Sequence, residues 1–185
     1  MPSDALDAAH LIDRLERLAR GGAPARGLNP AQWEALRYLA RANRFSRTPA
    51  ALADYLGSTR GTVSQTLIAL EQKGLVARGP SPRDRRSVDL RLTAEGAAAL
   101  EADPLLTLAS DIAASAEAAG LAAALRAVLR AAVARNGRRA FGLCRTCRHF
   151  RRSTDPGVTP HRCALLGEPL DEAESLAICV EQEDA

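Results

Sequence analysis

Apolar residues recur every three or four positions along most of this chain, and only between about residues 75 and 92 does the period shorten to two. The opening segment, residues 4–20, spaces Leu6, Leu11, Leu15 and Leu18 among charges. It predicts an amphipathic helix, ended by Gly21 and Gly22 and suited to packing against another chain. A second helix opens at Asn29, a favoured N-cap, with Pro30 in the first helical position and Trp33, Leu36, Leu39 and Ala40 on one apolar face. Thr48 and Pro49 repeat that start signal. Residues 49–56 then form a short helix with Leu52, Ala53 and Leu56 inward, and Gly57 stops it.

After Gly57, Ser58 and Thr59 a further helix runs to about Lys73, with Val63, Leu67 and Leu70 on its apolar face and Gly74 closing it. Two short helices joined by a tight glycine-containing turn form a helix-turn-helix pattern. The outer face of the second helix reads Arg60, Thr62, Ser64 and Gln65, all able to donate to a phosphate or a base edge. Leu75 to Arg78 reads as a strand, GPSPRDRRS as a basic turn, and Val88 to Leu92 as an alternating second strand. Such a hairpin is expected to be a wing, whose arginines, Arg83 among them, can reach the DNA backbone or minor groove beside the helix. Thr93 then caps a helix beginning at Ala94. From there to Arg135 the chain is rich in Ala and Leu, broken at Asp103-Pro104 and at Gly120 and closed by Asn136-Gly137. These pieces are too apolar to face solvent, so burial against a partner is expected.

Composition narrows the class. A length of 185 residues allows one real core and an appendage, and 3% aromatic residues leave Leu, Ala and Val to build that core, which favours helices. The N-terminus lacks the apolar run of a signal peptide, and no stretch approaches the roughly 18 apolar residues of a membrane span, so a cytoplasmic protein with no membrane partner is expected. Net charge is only +3, and Lys73 is the one lysine among 25 cationic residues. A single arginine is therefore weak evidence of a phosphate contact, and clustering is what counts. Residues 78–91 carry five arginines against two aspartates, residues 138–162 carry seven against Asp155, and residues 164–185 carry seven acids and no base. No catalytic dyad, phosphate-binding glycine loop or cofactor fingerprint is present, so an enzyme is not expected and no residue is assigned a catalytic role.

In order and at matching spacings, the residues of about 28–135 resemble the MarR family of winged-helix transcription regulators. The resemblance rests on LNPAQW from Leu28, Leu52-Ala53, Thr62-Val63-Ser64, LEQKGLV from Leu70 with Arg78, and the run from Asp84 and Arg86 to Leu90, Leu92, Thr93 and Gly96. It implies a mainly α fold with a small β-hairpin wing, and a homodimer built by the N-terminal helix and the last helices. It implies double-stranded DNA as partner, at a pseudo-palindromic operator with half-sites about one helical turn apart. By the same resemblance Asp84 orients Arg86 toward DNA, Ser64 and Gln65 face the major groove, and a small-molecule effector can bind between the dimerisation and DNA-binding parts.

All four cysteines lie in the last quarter of the chain, as C-x2-C at Cys144 and Cys147, then Cys163, then Cys179. In a reducing compartment such clustering points to metal or redox chemistry before disulfides. A segment this short has too few apolar residues for its own core, and metal binding is the usual substitute. The order resembles the high-potential iron-sulfur proteins, which implies a 4Fe-4S cluster on Cys144, Cys147, Cys163 and Cys179. Only Phe141 and Phe150 are aromatic here and Ile178 precedes the last cysteine, so a less shielded, oxidation-prone cluster is expected. Structural zinc and a metal-free thiol switch remain as alternatives, with His149 and His161 as rival zinc ligands and a surface position the commoner state for such histidines.

The expected organisation is an N-terminal dimerisation helix (1–27), a winged helix-turn-helix domain (28–96), dimerisation helices (97–137) and a cysteine module (138–185). The module is expected beside the dimerisation helices and responsive to redox state, iron or metal. A ligand-responsive repressor with a purely structural zinc module is the alternative reading, and a small redox protein a third.

Overall fold

The computed structural model describes residues 3–20, 27–81, 87–153 and 161–184. Helix α1 (Ser3–Arg20) is followed by α2 (Pro30–Arg41), α3 (Pro49–Leu56) and α4 (Arg60–Gln72). Strands β1 (Val76–Pro80) and β2 (Val88–Leu92) pair antiparallel with Val76 opposite Leu92 and Pro80 opposite Val88. Next come α5 (Ala94–Ala99), a 3-10 turn (Leu100–Ala102), α6 (Leu105–Ala113) and α7 (Ala118–Arg135). The order of helices and hairpin is the one the sequence implies.

The start signals work as capping chemistry. Asn29 accepts from the Gln32 amide at 2.9 Å while the Gln32 side chain accepts from the Asn29 amide at 3.1 Å, a reciprocal box that satisfies two orphan donors of α2. Thr48, Thr59 and Thr93 cap α3, α4 and α5 in the same sense. One core runs through these elements. Trp33, Leu36, Leu52, Val63, Leu67 and Leu90 are all buried in it. Ala40, expected inward, is exposed. At about 100° per residue Ala40 stands only about 40° from Leu36, so the predicted face is right, but it lies in the last turn of α2, next to the terminal Arg41, and is left uncovered there.

Gly96 lies under β1 at a distance no other residue permits: a Cβ there would stand 2.0 Å from the Leu75 carbonyl oxygen. Beyond α5, Arg37 donates through Nε and Nη2 to the two carboxylate oxygens of Asp103 at 2.7 and 2.5 Å, fastening α2 to the start of α6. The second helix break falls at residues 114–117 instead of at Gly120. Ser115 Oγ there accepts from the Glu117 amide at 3.2 Å, whereas Gly120 lies in the first turn of α7, where a glycine costs the helix least. Neither α6 nor α7 has a buried residue, and Leu18, Val128 and Leu129 are 66%, 61% and 63% exposed. No helix among the described residues is long and apolar enough to cross a membrane.

The chain then turns at Gly137 (φ 60°) and builds short strands: β3 (Gly142–Leu143), β4 (Phe150–Arg152), β5 (His161–Cys163), β6 (Glu168–Leu170), a one-turn α8 (Glu172–Ser175) and β7 (Ile178–Cys179). Strands β4, β5 and β6 form one antiparallel sheet and β3 pairs with β7. The sequence order suggested that this module adjoins the late helices; the contacts shown among its described residues go to the winged-helix core. The module is seated on the loop between α2 and α3. Ile178 is 4% exposed within the winged-helix core, its carbonyl accepts from the Asn43 amide at 2.9 Å, and Phe141 packs edge-on against Tyr55 at 5.2 Å. The reason is burial: the module's own apolar residues are few, and their larger partner surface is the core already formed by α2 and α3.

Candidate functional site

Thr59 sets the polar face of α4. Its hydroxyl accepts from the Thr62 amide at 3.1 Å and lies 2.9 Å from the Thr62 hydroxyl, so the first turn is fixed and Thr62 is engaged at the cap. Arg60, Thr62 and Gln65 are exposed and Ser64 is half-buried, while Val63, Leu67 and Leu70 on the opposite side hold the helix to the core. Gly61, which the sequence reading passed over, is exposed with nothing but Thr59 Oγ1 near the place of a Cβ. It leaves the backbone of α4 open to close approach. Beside this face the hairpin is tied to the same helix, because Arg78 Nε lies 2.8 Å from Glu71 Oε2. Arg83, Asp84 and Arg86, assigned to the wing tip, lie outside the described residues.

A second site forms where three backbone pairings converge. Cys179 lies opposite Gly142, two residues before Cys144; Cys147 bridges to Asp184; and Cys163 lies opposite Phe150, three residues after Cys147. Cys144, Cys179 and Cys163 pack together with Leu170, Phe45 and Phe150, and Cys144 and Cys179 are buried. All four thiols are free. The Cys147 amide donates to the Cys144 carbonyl at 3.0 Å, and its sulfur accepts from the Glu183 amide at 3.5 Å.

Polar hydrogens surround the sulfurs. Asn43 Nδ2 donates to Cys144 Sγ at 3.2 Å. Hydrogen bonding from the Cys144 thiol holds Cys179 down to about 6 against the opposing effect of burial, aided by Asn43, the Glu181 amide and Ser46. Cys144 is raised, first because it donates to Cys179 and then because it is buried. The bonds of Asn43 to Cys144 and of Ser46 to Val180 had no signal in the sequence, since no local motif marks partners 101 and 134 positions away.

His161 is 5% exposed, which corrects the expectation of a surface histidine. Its Nε2 is 2.7 Å from Glu172 Oε2, its ring lies 4.8 Å from that of Phe150, and its Nδ1 is buried with no hydrogen-bond partner among the described residues. That carboxylate–imidazole geometry, with a free inner nitrogen, is what metal-ligating histidines use. His149 is half-buried, with Nε2 3.5 Å from Glu183 Oε2. Among the described residues no three Cys, His, Asp or Glu side chains are grouped as a metal site requires. The donor chemistry thus suits a soft metal, and the side-chain arrangement is that of free thiols.

A cavity of ≈ 630 Å³ opens between α1, α2, α6 and α7, lined by Ile12, Trp33, Arg37, Leu108 and Leu121 among others. It is mainly apolar, with Arg37 and Glu34 as its charged groups on α2.

A tight helix pair with an exposed polar second helix, flanked by an antiparallel hairpin on the same core, defines a winged helix-turn-helix protein. Within that segment the chain is similar to the MarR family, whose sequence model matches residues 26–87. Among solved structures, the apo form of MarR from E. coli is 28% identical with a TM-score of 0.50, over 70% of this chain and 98% of that one. MepR from S. aureus in its DNA complex is 25% identical with a TM-score of 0.51, over 71% and 98%. The transcriptional regulator BldR from Sulfolobus solfataricus shares the fold at 23% identity and a TM-score of 0.54, over 70% and 99%. No curated protein matches the sequence.

Proposed function

We propose that this chain is a homodimeric, DNA-binding transcription regulator of the MarR type whose cysteine module makes it responsive to metal or redox state. The observation that carries the DNA-binding reading is the exposed Arg60, Thr62 and Gln65 face of α4 inside the segment that matches the MarR family. MepR, whose structure was solved on DNA, is similar over most of its length. The uncovered apolar surface of α1, α6 and α7 supports the homodimer, because exposed Leu and Val at this density mark a partner face. Two wings then approach one duplex from the same side, and the operator repeats about once per helical turn.

Cys144, Cys147, Cys163 and Cys179 are the residues that would hold a 4Fe-4S cluster or, in the alternative, zinc, with His161 Nδ1 as a rival zinc donor. Such a centre supplies bond energy that fixes the module, and iron-sulfur chemistry adds an oxidation-sensitive state. The chain's own part is to gather the thiols through β3, β5 and β7, to donate hydrogen bonds to them, and to screen them with Phe45, Phe150 and Leu170. A second reading, an apolar small-molecule effector, is favoured by the cavity between α1, α2, α6 and α7.

Selection from a random duplex pool tests the DNA reading. It is expected to enrich a pseudo-palindrome, and Gln65→Ala is expected to weaken binding to the winning duplex by about 1–3 kcal/mol and relax the preference at one position per half-site. An unenriched pool, or a variant that binds as tightly and as selectively, would sink it.

A further inference from the structure

We propose that Asn43 is the positioning residue that transmits the state of the cysteine cluster to the helix-turn-helix, through the α2–α3 loop and not through the dimerisation helices. The proposal rests on the metal- or redox-responsive reading above and names its route.

The two ends of the Asn43 carboxamide do different work. Nδ2 donates to Cys144 Sγ at 3.2 Å, while Oδ1 accepts from the Phe45 amide at 3.1 Å and from Ser46 Oγ at 2.7 Å. A carboxamide is a rigid plane, so a sulfur that moves or ceases to accept displaces Oδ1 along with Nδ2. Asn43 and Ser46 are 1% and 0% exposed, so water does not replace a lost bond there.

Ser46 passes the displacement on in both directions. Its Oγ accepts from the Val180 amide, next to Cys179, at 2.9 Å. Its carbonyl accepts from Tyr38 Oη at 2.7 Å and from the Thr48 amide at 2.8 Å. Thr48 is the N-cap of α3, bonding the Ala51 amide at 3.1 Å, and the intervening Arg47 carbonyl accepts from the Leu90 amide of β2 at 2.8 Å. Hydrogen bonds and the intervening backbone therefore join the thiols to the first helix of the helix-turn-helix and to the hairpin. Arg44 binds the module from the same loop, through Glu174 and through the Pro169 carbonyl at 2.7 Å. The surroundings leave Asn43 no freedom to absorb a change at sulfur locally.

Hydrogen exchange on the full-length chain tests this, comparing reduced, chelator-treated protein with protein given zinc, and in parallel with protein whose thiols are blocked by methyl methanethiosulfonate. In the wild type the amides of Ser46, Thr48 and Leu52 are expected to change by at least about fivefold, the lower end of ordinary coupling between sites, while those of α7 hold. Asn43→Asp keeps the acceptor oxygen and removes the donor to sulfur. Its thiols are expected still to react or take up zinc, with the response in α3 lost. Ser46→Ala, which cuts the next link, gives the same loss if Asn43→Asp does not fold. An unchanged α3 in wild type with modified thiols, or a full response in the folded variants, overturns the route. Failure of wild type to take up any zinc, with the thiol-blocked arm still responding, would instead remove the metal reading and leave the route standing.

Discussion

Asp103 holds the seam between the winged-helix core and the late helices. Burial alone would raise its carboxyl, but the Arg37 guanidinium and the Leu105 amide outweigh burial and hold it below the usual carboxylate range. The group binds its proton more weakly in the folded chain than in the unfolded one, so its contribution is present above the ordinary carboxylate range and is lost as pH falls through the lowered value. Asp103→Asn is expected to reduce stability by about 1.5–3 kcal/mol near neutral pH, the usual range for hydrogen bonds to a charged group. Urea unfolding at neutral and at strongly acidic pH checks this, because variant and wild type should converge in acid. A difference that stays constant with pH would contradict the assignment. At this scale the sequence was informative for caps and helix stops, since Asn29, Thr48 and Gly57 act on neighbours. It was silent on the bonds of Asn43 to Cys144, of Ser46 to Val180 and of Glu172 to His161, which form only once separate segments meet.

Among the elements, α5 and the hairpin depend on one close approach. Gly96 gives the helix its place under β1, where Thr93 Oγ1 also donates to the Gly74 carbonyl at 2.7 Å and accepts from the Gly96 amide at 3.0 Å. A methyl group at residue 96 meets backbone, which cannot swing aside as a side chain would. Gly96→Ala is therefore expected to destabilise by about 1–3 kcal/mol, as overpacking does, and to lower the thermal midpoint despite the better helix propensity of alanine. A rise in the midpoint would show that helix and strand are less tightly joined. The helices and hairpin were legible because their period and punctuation are local. The break before α7 was misplaced at Gly120 because Ser115 makes a turn through its side chain, which composition does not reveal. The C-terminal strands, two or three residues long, carry no period to read.

At the scale of the whole molecule the cysteine end changes meaning. Chain order suggested that it adjoins the dimerisation helices, yet Ile178 belongs to the winged-helix core and Arg138 Nη2 reaches the Gly57 carbonyl at the helix-turn-helix turn, 3.4 Å away. The module is thus a neighbour of the helix-turn-helix itself. The four thiols were legible as a group, because clustering needs only counting. Their attachment was not, since it depends on buried Ile178, on Phe141 packed against Tyr55 and on a loop of polar residues. In the dimer proposed from α1, α6 and α7, each proposed recognition helix has its own chain's cysteine module beside it, so under the proposed function loss of one module affects one half-site.

The affinity of the full-length protein for its selected duplex, measured at one fixed salt concentration before and after the cysteine module is stripped with chelator under reducing conditions, tests the central claim most directly, because phosphate binding varies steeply with salt and must be held constant. The account predicts tight binding by the loaded protein and a loss of at least about fivefold on stripping, restored by reloading. Equal affinity of the two forms for the same duplex would contradict it.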